Sequence, residues 1–350
     1  MRALKLYGKR DLRYEEAEEP FIEKNDEVII KVKAAGICGS DLSRYAKLGP
    51  YIEGMVWGHE FSGEVAAIGS GVHHVKIGDR VAACPALYCG KCESCKKGLL
   101  SQCEKLTVIG ARYPGAFAEY VKLPRENVLS IPETIDFDTA TFIEPSAVVA
   151  HGFYRTRTQP GADVAVVGCG SIGLLAVQWA KIFGASKVYA IDIDNKKLDI
   201  AKEVGADVVI HAVEKTAYEQ LMELTDGNGV DLVIESAGSP ITSAQVFALA
   251  KKGGEVLFLG IPYSDVNIER FYFEKIVRNE LTVLGSWNAI SAPFPGREWS
   301  TTIECMSKGL INVRPLITHR VPLSQGPEIF ERITNKNGFF GKVLFYPEIQ

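Results

Sequence analysis

Cys89, Cys92, Cys95 and Cys103 fall within fifteen residues as C-x2-C-x2-C-x7-C. Four thiolates at this spacing can surround one tetrahedral zinc and leave no coordination position open, so the site contributes folding energy rather than Lewis-acid chemistry. A disulfide framework is the alternative use of such cysteines, and a reducing compartment disfavours it. A second set of metal-binding residue types lies upstream, with Cys38 in Ala-Gly-Ile-Cys-Gly-Ser-Asp and His59 in Gly-His-Glu. Metal-assisted chemistry, if the chain performs it, belongs there.

A third signal is Gly168-Cys-Gly170-Ser-Ile172-Gly173, which follows the apolar run Val164–Val167 and opens an apolar helix from Ile172 to Trp179. Gly168 permits a tight turn, Gly170 lets a pyrophosphate approach the backbone, and Gly173 lets the helix pack closely on the strand. The helix N-terminus then faces the phosphates with unpaired N–H groups. Asp192 lies nineteen residues beyond Gly173, where a carboxylate accepts hydrogen bonds from the adenosine ribose. It would repel a 2′-phosphate, so NAD is expected over NADP. Gly168, Gly170, Ile172, Gly173 and Asp192 are the expected cofactor contacts. Lys197 joins them beside the ribose, or is a solvated lysine of the following helix.

Two kinds of scaffold must hold these groups. Up to about Ser146 the sequence reads as short strands, Val28–Val32, Phe61–Ile68, Arg80–Ala83 and Phe117–Leu123, with glycine-rich joints between them. That pattern predicts a partly closed β-barrel. From about Ala147 apolar strands alternate with helical segments: Val164–Val167, Val188–Ile191, Val208–Ile210, Leu232–Ile234, Val256–Leu259 and Leu281–Leu284. Strands lacking polar alternation are buried on both faces, which predicts an α/β, doubly wound parallel sheet. The expected division is 1–146 for the first domain with a metal lobe at about 84–105, 147–286 for the dinucleotide-binding domain, and 287–350 returning to the first.

At 350 residues the chain exceeds one ordinary core, which agrees with two domains. Its formal net charge of −4 offers no basic field for nucleic acid or an anionic membrane. The N-terminal residues carry scattered charges and lack the apolar run of a secretory signal, so a cytoplasmic address is expected. The apolar stretch Ala162–Ala180 is broken by three glycines and by Asp163, Ser171 and Gln178, and is expected to be strand, turn and helix rather than a bilayer span.

Cys38-Gly-Ser40-Asp41, Gly58-His59-Glu60, the cysteine quartet, Phe142-Ile-Glu144-Pro145 and the glycine loop occur in this order along nearly the whole chain. The ensemble resembles the zinc-containing medium-chain dehydrogenases, and Ile109-Gly-Ala-Arg112, Gly115-Ala-Phe-Ala-Glu-Tyr120 and Gly285-Ser-Trp287 through Pro295-Gly-Arg-Glu-Trp299 resemble its polyol-phosphate members. The resemblance implies a GroES-like first domain and a Rossmann second domain. It also implies a catalytic zinc held by Cys38, His59 and Glu144, making two zinc ions per chain with the structural one. Asp41 then orients the histidine and Ser40 accepts the alcohol proton, while hydride passes from carbon to the nicotinamide. Glu144 stands where alcohol dehydrogenases have cysteine and agrees with the polyol branch. Glu60 is expected either to exchange into the zinc shell or to partner a cation. Ser43 replaces the histidine that completes the proton relay of alcohol dehydrogenases.

A phosphorylated polyol would need cations for its dianion, and Arg44, Lys47 and Arg112 are the candidates, each with ordinary solvated charge as its alternative. The expected substrate is a small polyol or polyol phosphate, and the expected assembly a homodimer or homotetramer. Competing expectations are an unphosphorylated polyol or L-threonine dehydrogenase, and a zinc-stabilised NAD-binding protein without catalysis. Of the other histidines, His73 and His74 read as exposed and His151 as packed, and Cys84, Cys169 and Cys305 as core fillers.

Overall fold

A computed structural model describes residues 1–348. The chain forms two compact units, one of residues 1–144, 289–307 and 317 to the end of the described residues, the other of residues 145–288 and 308–316.

The first unit is organised by the ten-residue strand Glu27–Gly36, in which Val28, Ile30, Val32 and Ala34 are fully buried. It pairs antiparallel with Glu60–Ile68 along its length, with Tyr120–Pro124 over its first half, and with Lys342–Tyr346 at its far end. Register shifts at Ile29/Ile30 and Val32/Ala34 mark the bulges that let one strand serve three partners. Across the sheet the order is Val128–Ser130, Arg80–Ala83, Glu60–Ile68, Glu27–Gly36, Lys342–Tyr346, Ile317–Pro322. The strand expected from Phe117 starts later, at Tyr120. The N–H groups of Ala116 and Phe117 are already taken by Gly58 and Trp57 carbonyls, at 2.9 and 2.6 Å. Phe117, Phe330 and Phe345 meet in the core, Phe117 standing edge-on to the other two at centroid distances of 6.3 and 5.2 Å.

The second unit carries a six-stranded, wholly parallel sheet in the order Val208–His211, Lys187–Asp192, Asp163–Val167, Val230–Glu235, Ala250–Phe258, Thr282–Gly285. In chain order this is 3-2-1-4-5-6, the Rossmann arrangement. Val164, Val166, Leu232 and Ile234 are at most 1% exposed, which accounts for the uninterrupted apolar runs. Ala162–Ala180 resolves into strand, turn and the helix Ser171–Ile182. No helix of the described residues is long and apolar enough to cross a membrane.

One stretch departs from the three-part division expected above. Residues 308–316 join the second unit, where the Asn312 N–H donates to Gln178 Oε1 at 2.6 Å and Ile311, Val313 and Leu316 are buried.

Candidate metal centre and cofactor site

The antiparallel ladder sets Gly36 opposite Glu60. Cys38 lies two residues beyond Gly36 as the N-cap of the helix Gly39–Ser43, and His59 immediately precedes Glu60, so both side chains emerge at the same end of the ladder. Gly58 has φ +94°, and a Cβ there would sit 2.4 Å from the Phe117 ring, so this turn admits only glycine. The Asp41 carboxylate, 1% exposed, accepts the Cys38 N–H at 2.9 Å and stands 3.6 Å from His59 Nδ1. Asp41 thus steadies the Cys38 backbone directly and acts on His59 through charge at ion-pair distance. Burial opposes a charged His59, but Asp41 and Cys38 outweigh it and hold the imidazole well above its usual range. Asp41 itself is raised, chiefly by burial.

The ligand atoms of Cys38, His59 and Glu60 lie within 4.8 Å of one another. This tight group differs from the expected Cys38, His59 and Glu144. Glu144, in the first turn of the helix Ile143–Arg155, is not one of the three. Burial pushes its carboxyl up to about 7, with His59 opposing and Glu60 adding to the shift. Thiol, imidazole and carboxylate converging on one point match the donors of a zinc site, with Glu144 near enough to feel the same charges. Glu60 also has the cation partner that the sequence left as one of two readings: Lys342 Nζ donates to Glu60 Oε2. These side chains are 2% and 3% exposed. Burial opposes the lysine's charge, but Glu60 and Cys38 outweigh it and raise its pKa. Sequence reading missed Lys342, whose signal was a lone charge opening the apolar strand Lys342–Tyr346. Gly36 makes room for the pair, since a Cβ there would lie 2.7 Å from Lys342 Cε and 3.0 Å from Glu60 Oε2.

The four sulfurs of Cys89, Cys92, Cys95 and Cys103 also lie within 4.8 Å of one another. No disulfide joins them, and two of the contacts measure 3.4 Å (Cys92–Cys95) and 4.0 Å (Cys89–Cys95). Thiolates on a tetrahedral zinc sit about 3.8 Å apart, so the spacing fits that ion. Backbone N–H groups of Lys91 and Cys92 donate to the Cys89 sulfur at 3.5 and 3.4 Å, and those of Cys89 and Lys105 to Cys103 at 3.3 and 3.4 Å. These donors lower the Cys89 thiol to about 6, whereas burial raises Cys95. Asn127 anchors the entry to this lobe by donating to the Cys84 and Ala86 carbonyls at 2.7 and 2.8 Å.

In the second unit Gly168 takes φ +92° with Ala237 2.7 Å from where its Cβ would be, and a Cβ on Gly173 would fall 1.7 Å from the Gly168 carbonyl oxygen. Gly170 faces open space as the N-cap of the helix Ser171–Ile182, followed by half-buried Ile172. Asp192 accepts from Cys169 N at 2.6 Å through one oxygen and from Ile193 and Asp194 N at 2.8 and 3.0 Å through the other. It thereby ties the glycine loop to the end of its own strand. Lys197 is half-buried on the next helix.

Ser40 is exposed in the turn after Cys38, and the Ser43 hydroxyl donates to the Gly39 carbonyl at 3.1 Å. Arg44 and Arg112 both approach the ring of Tyr51, at 3.5 and 5.3 Å from its centroid, while Lys47 is exposed. His151, Cys84, Cys169 and Cys305 are buried, whereas His73 and His74 are exposed.

Comparison with known proteins agrees with this geometry. Residues 24–133 match the family model "Alcohol dehydrogenase GroES-like domain" and residues 171–308 the model "Zinc-binding dehydrogenase". Galactitol 1-phosphate 5-dehydrogenase of Escherichia coli K12 is 38% identical over 96% of this chain and 97% of its own. Sorbitol dehydrogenase of Bacillus subtilis 168 is 34% identical over 99% and 97%. The crystal structure of galactitol-1-phosphate dehydrogenase from Escherichia coli superposes with TM-score 0.94 at 37% identity, covering 99% of this chain and all of that one. The chain belongs to the zinc-binding alcohol dehydrogenase family and is an oxidoreductase acting on alcohols.

Proposed function

We propose that the chain oxidises a secondary hydroxyl of a sugar-alcohol phosphate to a ketone with NAD, galactitol 1-phosphate to tagatose 6-phosphate being the preferred reaction. The observation that carries the chemistry is the convergence of Cys38, His59 and Glu60 with Glu144 beside them. The 38% identity with galactitol 1-phosphate 5-dehydrogenase supports the substrate.

When bound, zinc supplies Lewis acidity to the substrate hydroxyl and NAD accepts the hydride released from carbon. Cys38, His59 and Glu144 would hold the catalytic ion, with Glu60 drawn between that shell and Lys342. The four clustered cysteines would hold a second, structural ion. Asp41 fixes the Cys38 backbone and orients His59 by charge. The proton leaving the substrate oxygen goes to Ser40, which is exposed and passes it to water. Ser43 takes no part in that relay, because its hydroxyl is engaged with the helix backbone. Gly168, Gly170, Ile172 and Gly173 would receive the pyrophosphate, and Asp192 and Lys197 the ribose. Arg44, Lys47 and Arg112 are the candidate phosphate contacts.

A homo-oligomer belongs to the same reading: the edge strand Thr282–Gly285 leaves Val283 45% exposed, and Trp287 just beyond it is 55% exposed. So does a cytoplasmic address, supported by eight cysteines of which none forms a disulfide. The test is an initial-rate panel of galactitol 1-phosphate, galactitol, sorbitol and L-threonine, each with NAD and NADP. Preference for galactitol 1-phosphate with NAD is the expected result. Faster turnover of sorbitol or L-threonine would replace the substrate assignment, and a preference for NADP would overturn the role given to Asp192.

A further inference from the structure

Arg44 and Arg112 are far apart in sequence, yet both guanidinium groups approach one ring, at 3.5 and 5.3 Å from the Tyr51 centroid. Their guanidinium carbons therefore lie no more than about 9 Å apart. Like charges brought this close repel, and an ordinary surface would offset them with a carboxylate. Neither arginine forms an ion pair among the described residues, although Glu53 stands two residues from Tyr51.

Both arginines are also tied to the segments that bear the metal-ligating side chains. Arg44 opens the turn Arg44–Leu48, which continues the helix capped by Cys38, and its Nη1 donates to the Gly49 carbonyl at 3.4 Å. The loop carrying Arg112 ends in Gly115 and Ala116, whose N–H groups donate to the Val56 and Gly58 carbonyls at 2.9 and 2.9 Å, next to His59. A guanidinium lying over an aromatic face keeps its in-plane donors open to phosphate oxygens: Arg44 commits Nη1 to Gly49 and leaves Nε and Nη2, and Arg112 leaves its whole fork. Tyr51 is 48% exposed, so solvent and ligands reach this arrangement.

We infer that Tyr51 is the positioning residue of a two-arginine clamp that holds a phosphate monoester dianion. The ring sets the direction of both forks, and the two positive charges match the charge of nearly −2 that a phosphomonoester carries near pH 7. Among the described residues Lys47 makes no cation–π contact with this ring, and it lies outside the clamp. The inference rests on the polyol-phosphate reading above and gives it a residue that sequence did not indicate.

The experiment is steady-state kinetics of the zinc-loaded enzyme with galactitol 1-phosphate and with galactitol, together with inhibition by inorganic phosphate. It compares the natural protein with Tyr51→Leu, Tyr51→Phe and Arg112→Gln. Tyr51→Leu is expected to lower the ratio of kcat/KM for galactitol 1-phosphate over that for galactitol about tenfold. The loss should reside in KM for the phosphate ester, and the inhibition constant for inorganic phosphate should rise in proportion. Arg112→Gln should act in the same direction, while Tyr51→Phe, which keeps the ring, should retain both properties. The clamp is overturned if Tyr51→Leu leaves the ratio and the phosphate inhibition unchanged, or if Tyr51→Phe loses as much as Tyr51→Leu. If the natural protein shows no preference for the phosphorylated polyol, the substrate reading fails by itself. The clamp then stands if inorganic phosphate inhibits the natural protein and Tyr51→Leu relieves it, and falls if inorganic phosphate does not inhibit.

Discussion

Replacing Lys342 by Met removes the cation from a carboxylate that has little access to water. Lys342 and Glu60 side chains are 2% and 3% exposed, and methionine fills a similar volume without charge. Breaking a buried ion pair from one side costs about 3–5 kcal/mol, because the remaining charge keeps its desolvation penalty and loses its partner. For a unit of this size each kcal/mol moves the midpoint of unfolding by about 2–4 °C, so K342M should melt about 6–20 °C lower. The assay is a double-mutant cycle with E60Q and the E60Q/K342M pair, unfolded thermally with zinc in excess for all four proteins. The double variant leaves no orphaned charge, so it should be more stable than the sum of the single losses predicts, with a coupling above about 2 kcal/mol. A K342M loss below about 1 kcal/mol with coupling near zero would refute the reasoning, showing that water or another group solvates Glu60.

Three further outcomes follow from the geometry. In the cysteine lobe, C95S should remove one zinc per chain by elemental analysis and lower thermal stability, and a strong chelator should do the same to the natural protein, since metal binding there is folding energy. D192A frees the Cys169, Ile193 and Asp194 N–H groups and removes the proposed ribose acceptor, so NAD affinity by fluorescence titration should fall about tenfold or more and the ratio of NAD to NADP affinity should fall with it. N127A leaves two buried carbonyls without their donor, and urea unfolding should show a loss of about 1–3 kcal/mol with kcat on the remaining folded enzyme little changed.

What was legible in the sequence was whatever short-range spacing encodes. The cysteine quartet lies in fifteen residues, a span that local turns alone can fold around one ion, and its sulfurs do gather within 4.8 Å. The glycine loop is equally local: the 1.7 Å that would separate a Gly173 Cβ from the Gly168 oxygen is fixed by one turn between strand and helix. The alternation of apolar strands and helices dictates a parallel sheet because strands buried on both faces need cover on both faces. Tertiary structure alone decided which long-range partners meet. Lys342 reaches Glu60 across 282 positions because the Glu27–Gly36 strand pairs with Glu60–Ile68 on one side and Lys342–Tyr346 on the other, with Gly36 leaving the space between them. That pairing also ties up Glu60, so the carboxylate within 4.8 Å of Cys38 and His59 is one already paired with a lysine, and Glu144 feels the charges of both His59 and Glu60. Arg44 and Arg112 likewise converge only because separate loops converge on Tyr51. Such contacts depend on strand register and loop path, which are collective properties of the folded chain and leave no mark in the local spacing of the residues that make them.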